Sequence, residues 1–167
     1  MKVGIISDTH ISKDYYRARY LLENYFKDVD IIIHAGDYTN EKVIEVIKDY
    51  KDFIGVSGNV DNDSVKELLK EKEIITLEGY RIGIYHGHGN GGTTLERAYN
   101  TFENDRIDIV IFGHSHQPLV KTKKGILMLN PGSLTSRRQE RWFSYIILEL
   151  QPDGIKVHFE FIAPSKD

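Results

Sequence analysis

Five times along this 167-residue chain a short apolar run gives way to a turn that carries a carboxylate, an amide or an imidazole. The runs Lys2–Ser7, Val29–Ile33, Phe53–Val56, Arg81–Tyr85 and Ile109–Phe112 lead into five polar segments. These are Asp8-Thr9-His10, Gly36-Asp37, Gly58-Asn59-Val60-Asp61, His86-Gly87-His88 and Gly113-His114-Ser115-His116. Apolar runs of this length read as buried strands. In open α/β sheets the ligand site lies outside the carboxyl ends of the strands, so groups that follow strands converge.

The intervening segments fit that reading. Tyr15–Phe26 repeats Ala18, Leu21, Leu22, Tyr25 and Phe26 at helical spacing, and Glu41–Tyr50 presents Val43, Ile44 and Ile47 on one face. A third helix is expected over Val65–Lys70, and three strand-turn-helix units in a row predict a parallel sheet with helical crossovers. Ile74–Leu77 and Arg81–Tyr85 flank a Glu78-Gly79-Tyr80 turn as a hairpin. Thr93 and Glu96 have capping-box spacing, opening a helix that runs to Phe102. After His116 come short strands at Pro118–Lys121, Ile126–Leu129, Phe143–Leu150 and Ile155–Ile162, the last two joined at Asp153-Gly154. They are expected to be antiparallel and to complete a second sheet layer. Pro164–Asp167 is expected to fray. The length suits one domain, residues 1–167, with one substantial core.

With no cysteine, any metal must sit on nitrogen and oxygen donors. Singly, each strand-end residue has a plain structural explanation: Asp8 caps a turn, Asn59 and Asp61 form a loop, and His34 is a hydrogen-bonded core histidine. Jointly they point to metal, because five of the seven histidines lie in these segments, His34 sits at the strand end just before Gly36-Asp37, and His158 alone is remote from all of them. Asp8, His10, Asp37, Asn59, His86, His114 and His116 suffice for two ions if one carboxylate bridges them. Two ions about 3.5–4 Å apart clamp both oxygens of a phosphoryl displacement and turn a bridging water into hydroxide at neutral pH. In an extended segment His114 and His116 point the same way, so both can face the site.

A net charge of -3 lacks the basic footprint of a general nucleic-acid binder. No apolar run approaches the roughly 18 residues of a membrane span. The expectation is a cytoplasmic protein for which a phosphate ester held by metal is open as substrate, with a homo-oligomer open as well.

In this order the five polar segments resemble the motif blocks of the calcineurin-like metallophosphoesterase superfamily. The small size and Asn130-Pro131-Gly132-Ser133 resemble its compact prokaryotic phosphodiesterase branch, which also contains the retromer scaffold subunit. The resemblance implies a four-layer αββα sandwich, with βαβ units in the N-terminal part, antiparallel strands in the C-terminal part, and metals at its rim. It implies one ion on Asp8, His10, Asp37 and His116, and another on Asp37, Asn59, His86 and His114, with Asp37 bridging. Manganese leads the candidate metals, ahead of nickel, iron, zinc and cobalt. Many members have a histidine directly after the asparagine, where this chain has Val60. The catalytic candidates are therefore Asn59, Asp61 and His88, the last two as replacement proton donors, and esters with good leaving groups should react best.

Arg137, Arg138 and Arg141 are expected to be a solvated surface rather than a substrate or oligomer contact. Two other readings compete with hydrolysis. One is a non-enzymatic scaffold on the same fold, which would be free to lose ligands. The other is a dinucleotide-binding oxidoreductase, since Gly87-His88-Gly89-Asn90-Gly91-Gly92 matches Gly-x-Gly-x-x-Gly between a strand and a helix. That fingerprint wants an acidic residue at the end of the next strand, and Asp108 lies at its start.

Overall fold

A computed structural model describes residues 1–164 of the chain, so most of the segment expected to fray lies outside the described residues. The elements follow in the order β1 (Lys2–Ile6), α1 (Tyr15–Tyr25), β2 (Ile31–His34), α2 (Glu41–Tyr50), β3 (Asp52–Gly55), α3 (Asp63–Leu68) and β4 (Lys72–Leu77). Then come β5 (Tyr80–Tyr85), α4 (Thr94–Thr101), β6 (Ile109–Ile111), β7 (Leu119–Lys123), β8 (Ile126–Asn130), β9 (Phe143–Gln151) and β10 (Gly154–Ile162). Local chemistry sets the helix starts. Asn40 and Asn62 cap α2 and α3 through their side-chain oxygens, and Thr93 with Glu96 forms the full capping box that begins α4. Among the described residues no helix is long and apolar enough to cross a membrane.

Among the described residues ten strands form two mixed five-stranded sheets, ordered β10-β9-β1-β2-β3 and β4-β5-β6-β8-β7. In the first, β1, β2 and β3 run parallel while β9 and β10 are antiparallel; in the second, β5, β6 and β8 run parallel between antiparallel β4 and β7. Strand alternation divides the side chains among three apolar layers. Val3, Ile5, Ile33, Ile146 and Leu148 meet Ile82, Ile84, Ile109 and Ile111 between the sheets. Ile6, Ile32 and Tyr145 face Ala18, Leu22, Val43, Ile44 and Ile47 of α1 and α2, and Val110, Phe112 and Met128 face Ala98, Tyr99 and Phe102 around α4. The result is an αββα sandwich.

The C-terminal strands depart from expectation in one respect. They do not together build the second layer: β7 and β8 do, with β8 parallel to β6, while β9 and β10 extend the first sheet beyond β1. Burial explains the placement. β9 is apolar on both faces, with Ile146 and Leu148 turned to the inter-sheet core and Tyr145 and Ile147 turned to the helical layer. A position inside the first sheet covers both.

Candidate metal centre

The five strand-end loops meet at one rim and are stitched together by backbone bonds. The Asp8 amide donates to the Gly36 carbonyl (2.9 Å), the His10 amide to Asp37 (3.1 Å), and the Gly113 amide to His86 (3.0 Å). Two glycines permit the close approach. A Cβ on Gly58 would fall inside the Asp37 carboxylate and 2.5 Å from the Asp37 nitrogen, and one on Gly113 would sit 2.7 Å from Asp8 Oδ2.

Five of the proposed ligands occupy the left-handed region: Asp8 (φ 55°), His10 (45°), Asp37 (64°), His114 (68°) and His116 (59°). Such residues cost on the order of 1–3 kcal/mol each and persist where their surroundings over-determine them. The expectation of an extended Gly113–His116 segment is therefore corrected. The chain coils there, and the coil, not a two-residue repeat, sends the two imidazoles to different places.

Those places are two clusters. Asp8, His10 and His116 bring one ligand atom each within 4.8 Å of one another, and so do Asp37, His86 and His114. Asn59 joins the second, its Oδ1 3.0 Å from His114 Nδ1. Asp37 Oδ2 lies 3.1 Å from His86 Nε2 and 3.8 Å from His10 Nε2, so this one oxygen reaches both clusters.

Asp8 and Asp37 each have one carboxylate oxygen anchored and one left over. Asp8 Oδ2 accepts from Ser7 Oγ (2.6 Å) and the His114 amide (3.0 Å), whereas Oδ1 has no hydrogen-bond partner among the described residues. Asp37 Oδ1 accepts from the Val60 amide (3.1 Å), whereas Oδ2 has none. The imidazoles opposite are oriented so that they do not satisfy these oxygens. His86 Nδ1 donates to the Ala35 carbonyl (2.7 Å) and His116 Nδ1 to that of Ser136, which leaves each neutral ring an Nε2 lone pair. His86 Nε2 faces Asp37 Oδ2, and His116 Nε2 faces Asp8 Oδ1, each at 3.1 Å. An acceptor facing an acceptor across 3.1 Å is stable only with a positive charge between, either a proton or a cation.

The acid–base properties agree. Burial opposes ionisation of Asp37, but His86 and the Val60 amide overcome it and bring its pKa down to about 2. Asp8 is likewise held below its ordinary value, by the imidazoles of His116 and His86 against the burial cost. His86 is raised: burial works against its charge, and the two carboxylates outweigh burial. His10 and His114 are lowered, chiefly by burial. Two carboxylates held in the ionised form beside imidazole nitrogens, with the rings of His86 and His116 fixed by the carbonyls of Ala35 and Ser136, suit a divalent transition metal.

The remaining candidates lie outside the clusters. Asp61 is buried, and both of its oxygens are spent on backbone amides: Oδ2 on Gly58 (2.7 Å) and Asp37 (3.0 Å), Oδ1 on Thr39 (2.7 Å). Its contacts make it an anchor of the Asp37 loop rather than a group presented to a substrate, which tells against its candidacy as proton donor. His88 points Nε2 at Glu71 Oε1 (3.2 Å), beside a cleft that also includes Ser57, Gly58 and Asn59. Burial and the nearby His86 lower its pKa. Val60 stands 46 % exposed at the rim. The glycine-rich segment wraps Arg97, whose guanidinium donates to the Gly87 (2.9 Å), Gly91 (3.1 Å) and Gly92 (2.8 Å) carbonyls. Its carbonyls are thus turned to a side chain of its own helix, a role different from cradling a pyrophosphate.

Three supporting residues stand in the sequence only as a core histidine and as part of the Asn-Pro-Gly-Ser turn, and their contacts give them a role at the site. Buried His34 accepts the Gly36 amide at Nδ1 (3.1 Å) and meets Thr9 Oγ1 at Nε2 (3.0 Å), joining the loops of Asp8 and Asp37. Ser133 Oγ donates to the Asp8 carbonyl (2.8 Å), and Asn130 Nδ2 donates to the Gly113 carbonyl (2.9 Å). The Asn-Pro-Gly-Ser turn thus buttresses the first and last ligand loops.

Comparison with known proteins matches residues 1–153 to the calcineurin-like phosphoesterase superfamily domain. The probable metallophosphoesterase YsnB of Bacillus subtilis is 35% identical over 162 residues, covering 95% of this chain and 90% of YsnB. A phosphodiesterase of Methanocaldococcus jannaschii is 30% identical over 142 residues, covering 79% of this chain and 83% of that protein. In structure, Vps29 of Entamoeba histolytica, solved in complex with zinc, superposes with a TM-score of 0.76 at 21% identity, over 98% of this chain and 99% of that one.

Proposed function

Because the chain belongs to the calcineurin-like phosphoesterase superfamily, we propose that it is a phosphodiesterase whose two side-chain clusters hold two divalent ions. The observation that carries this reading is the pair of orphaned carboxylate oxygens, Asp8 Oδ1 and Asp37 Oδ2, each facing an imidazole lone pair. Asp8, His10 and His116 would hold one ion, Asn59, His86 and His114 the other, and Asp37 Oδ2 would be shared.

Such ions supply Lewis-acid charge for the phosphoryl oxygens and an activated water at neutral pH. The chain supplies geometry. Ser7, Ser133 and His34 hold the loop of Asp8 and His10, Asp61 holds the loop of Asp37, and the carbonyls of Ala35 and Ser136 fix the ring orientation of His86 and His116. Asn59 is exposed, with its Oδ1 3.0 Å from His114 Nδ1. With Val60 at the rim, His88 is the remaining candidate to assist the leaving group, and activated esters should be the best substrates. We assign a small phosphodiester as substrate and the cytoplasm as the place of action, with residues 1–167 acting as one domain. Manganese leads the candidate metals, with nickel, iron, zinc and cobalt behind it. The zinc complex of the Vps29 neighbour supports keeping zinc among them.

The fold-level likeness to Vps29 favours one second reading, a protein-interaction scaffold. Retention of all seven candidate ligands weighs against a scaffold without catalysis. To decide, the protein is stripped with chelator, reloaded with single divalent metals, and assayed on an activated aryl phosphodiester beside the matching monoester. Metal-dependent cleavage that favours the diester is expected. Absence of cleavage with every metal refutes the enzymatic reading.

A further inference from the structure

Strand β10 closes the first sheet, pairing with β9 along all nine of its residues and with no strand on its other side among the described residues. The other edge strands β3, β4 and β7 have four, six and five residues, so β10 is the longest free edge. It contains no proline, and nothing covers its outward N–H and C=O groups by strand pairing. Edges of this kind template association unless they are blunted. Lys156, His158 and Glu160 stand exposed on its helical-layer face; Ile155, Val157, Phe159 and Phe161 line the inter-sheet face. Coverage of that apolar row is incomplete. Phe161 is 54 % exposed and stacks on Phe159 with ring centroids 6.0 Å apart.

We propose that a second copy of this chain pairs antiparallel along β10, with a two-fold axis through His158, to make one continuous sheet from the two five-stranded ones. The occupant follows from the sequence of the strand. The register that pairs all nine residues sets Gly154 opposite Ile162, and it also sets Lys156 opposite the partner's Glu160, once on each side of the axis. Slips that keep both faces must move the strand by two residues. They shorten the ladder and set Lys156 against histidine or isoleucine instead. Glu160 has no ionic partner among the described residues, and Lys156 has only a 4.0 Å approach to Glu149. The same register lays Ile155 against the partner's Phe161 and Val157 against the partner's Phe159, completing cover of the apolar row. A symmetric, self-complementary contact of this kind closes at two copies. The axis points the two metal rims toward opposite ends of the joined sheet, so pairing leaves both open and does not depend on the hydrolytic reading.

The test is sedimentation equilibrium of the full chain from micromolar to near-millimolar concentration, with circular dichroism to verify folding of each variant. A monomer–dimer equilibrium is expected. Glu160→Lys opposes like charges at both symmetric pairs and should raise the dissociation constant about tenfold. The double exchange Lys156→Glu with Glu160→Lys recreates both pairs with signs reversed and should return the constant to the wild-type value. A protein monomeric at every concentration overturns the proposal. So does a dimer indifferent to Glu160→Lys, or one that the double exchange does not restore.

Discussion

Acidification should weaken the metal-free protein through His34, and the size of the effect follows from its burial. The ring is fully enclosed, stacked on Tyr38 with centroids 3.7 Å apart, and its two nitrogens are committed to Gly36 and Thr9. Burial, partly offset by Asp8, pushes its pKa down from 6.5 to about 3. Above pH 6.5 both the folded and the unfolded chain hold this ring neutral, and pH has no leverage through it. Between that value and about 3 the unfolded chain binds a proton that the folded one refuses, so stability falls as pH falls. The slope is about 1.4 kcal/mol per pH unit, giving a loss of about 2 kcal/mol at pH 5 and approaching about 5 kcal/mol at full protonation. Other histidines titrate too, so the relevant quantity is the difference between wild type and His34→Gln, which keeps a donor toward Thr9. Urea unfolding at pH 7 and pH 5 on chelator-treated protein gives both values. His34→Gln should start less stable at pH 7 and lose about 2 kcal/mol less on going to pH 5. An equal loss in the two proteins would refute the assignment of the buried neutral ring.

Asp61→Ala strands three backbone amides and should cost about 3 kcal/mol or more in urea unfolding. The activity it retains should show an unchanged dependence on leaving-group pKa across a series of aryl diesters; a steeper dependence would return Asp61 to the role of proton donor. Gly58→Ala drives a methyl into the Asp37 carboxylate, and by displacing that group it should lower turnover about a hundredfold or more while the circular dichroism spectrum stays native. Reloading the stripped protein with manganese should stabilise it by about 4 kcal/mol at a thousandfold excess over the dissociation constant, read as a rise in thermal midpoint. No shift with any divalent metal would contradict the meaning given to the orphaned oxygens.

The sequence made the strand ends legible because each depends on a few adjacent residues: an apolar run, a turn, and a polar group that follows it. Asp8, Asp37, His86, His114 and His116 could thus be gathered at one rim before any contact was seen. The destination of β9 could not, since joining β1 rather than the second sheet is settled by a pairing across more than a hundred residues, such as Val3 with Leu148. The left-handed backbone at the ligands was equally hidden, because non-glycine residues adopt it only under tertiary constraint. Asp61 shows the same limit at a single side chain. Whether a carboxylate gives a proton or gathers amides depends on which amides the fold points at it, and three came from Gly58, Asp37 and Thr39. His34 and Ser133 act through contacts to loops distant in sequence, which spacing does not report.

Two separate ions are the centre of this picture, and counting them tests it most directly. Wild type, His114→Ala and His116→Ala are each stripped, reloaded with manganese, freed of excess metal and analysed for bound metal per chain by mass spectrometry. Two ions in wild type and about one in each variant are expected, the His116→Ala protein keeping the ion at Asp37 and His86, and the His114→Ala protein keeping the one at Asp8 and His10. Fewer than two ions in wild type with every metal tried, or loss of all metal from both variants together, would contradict it.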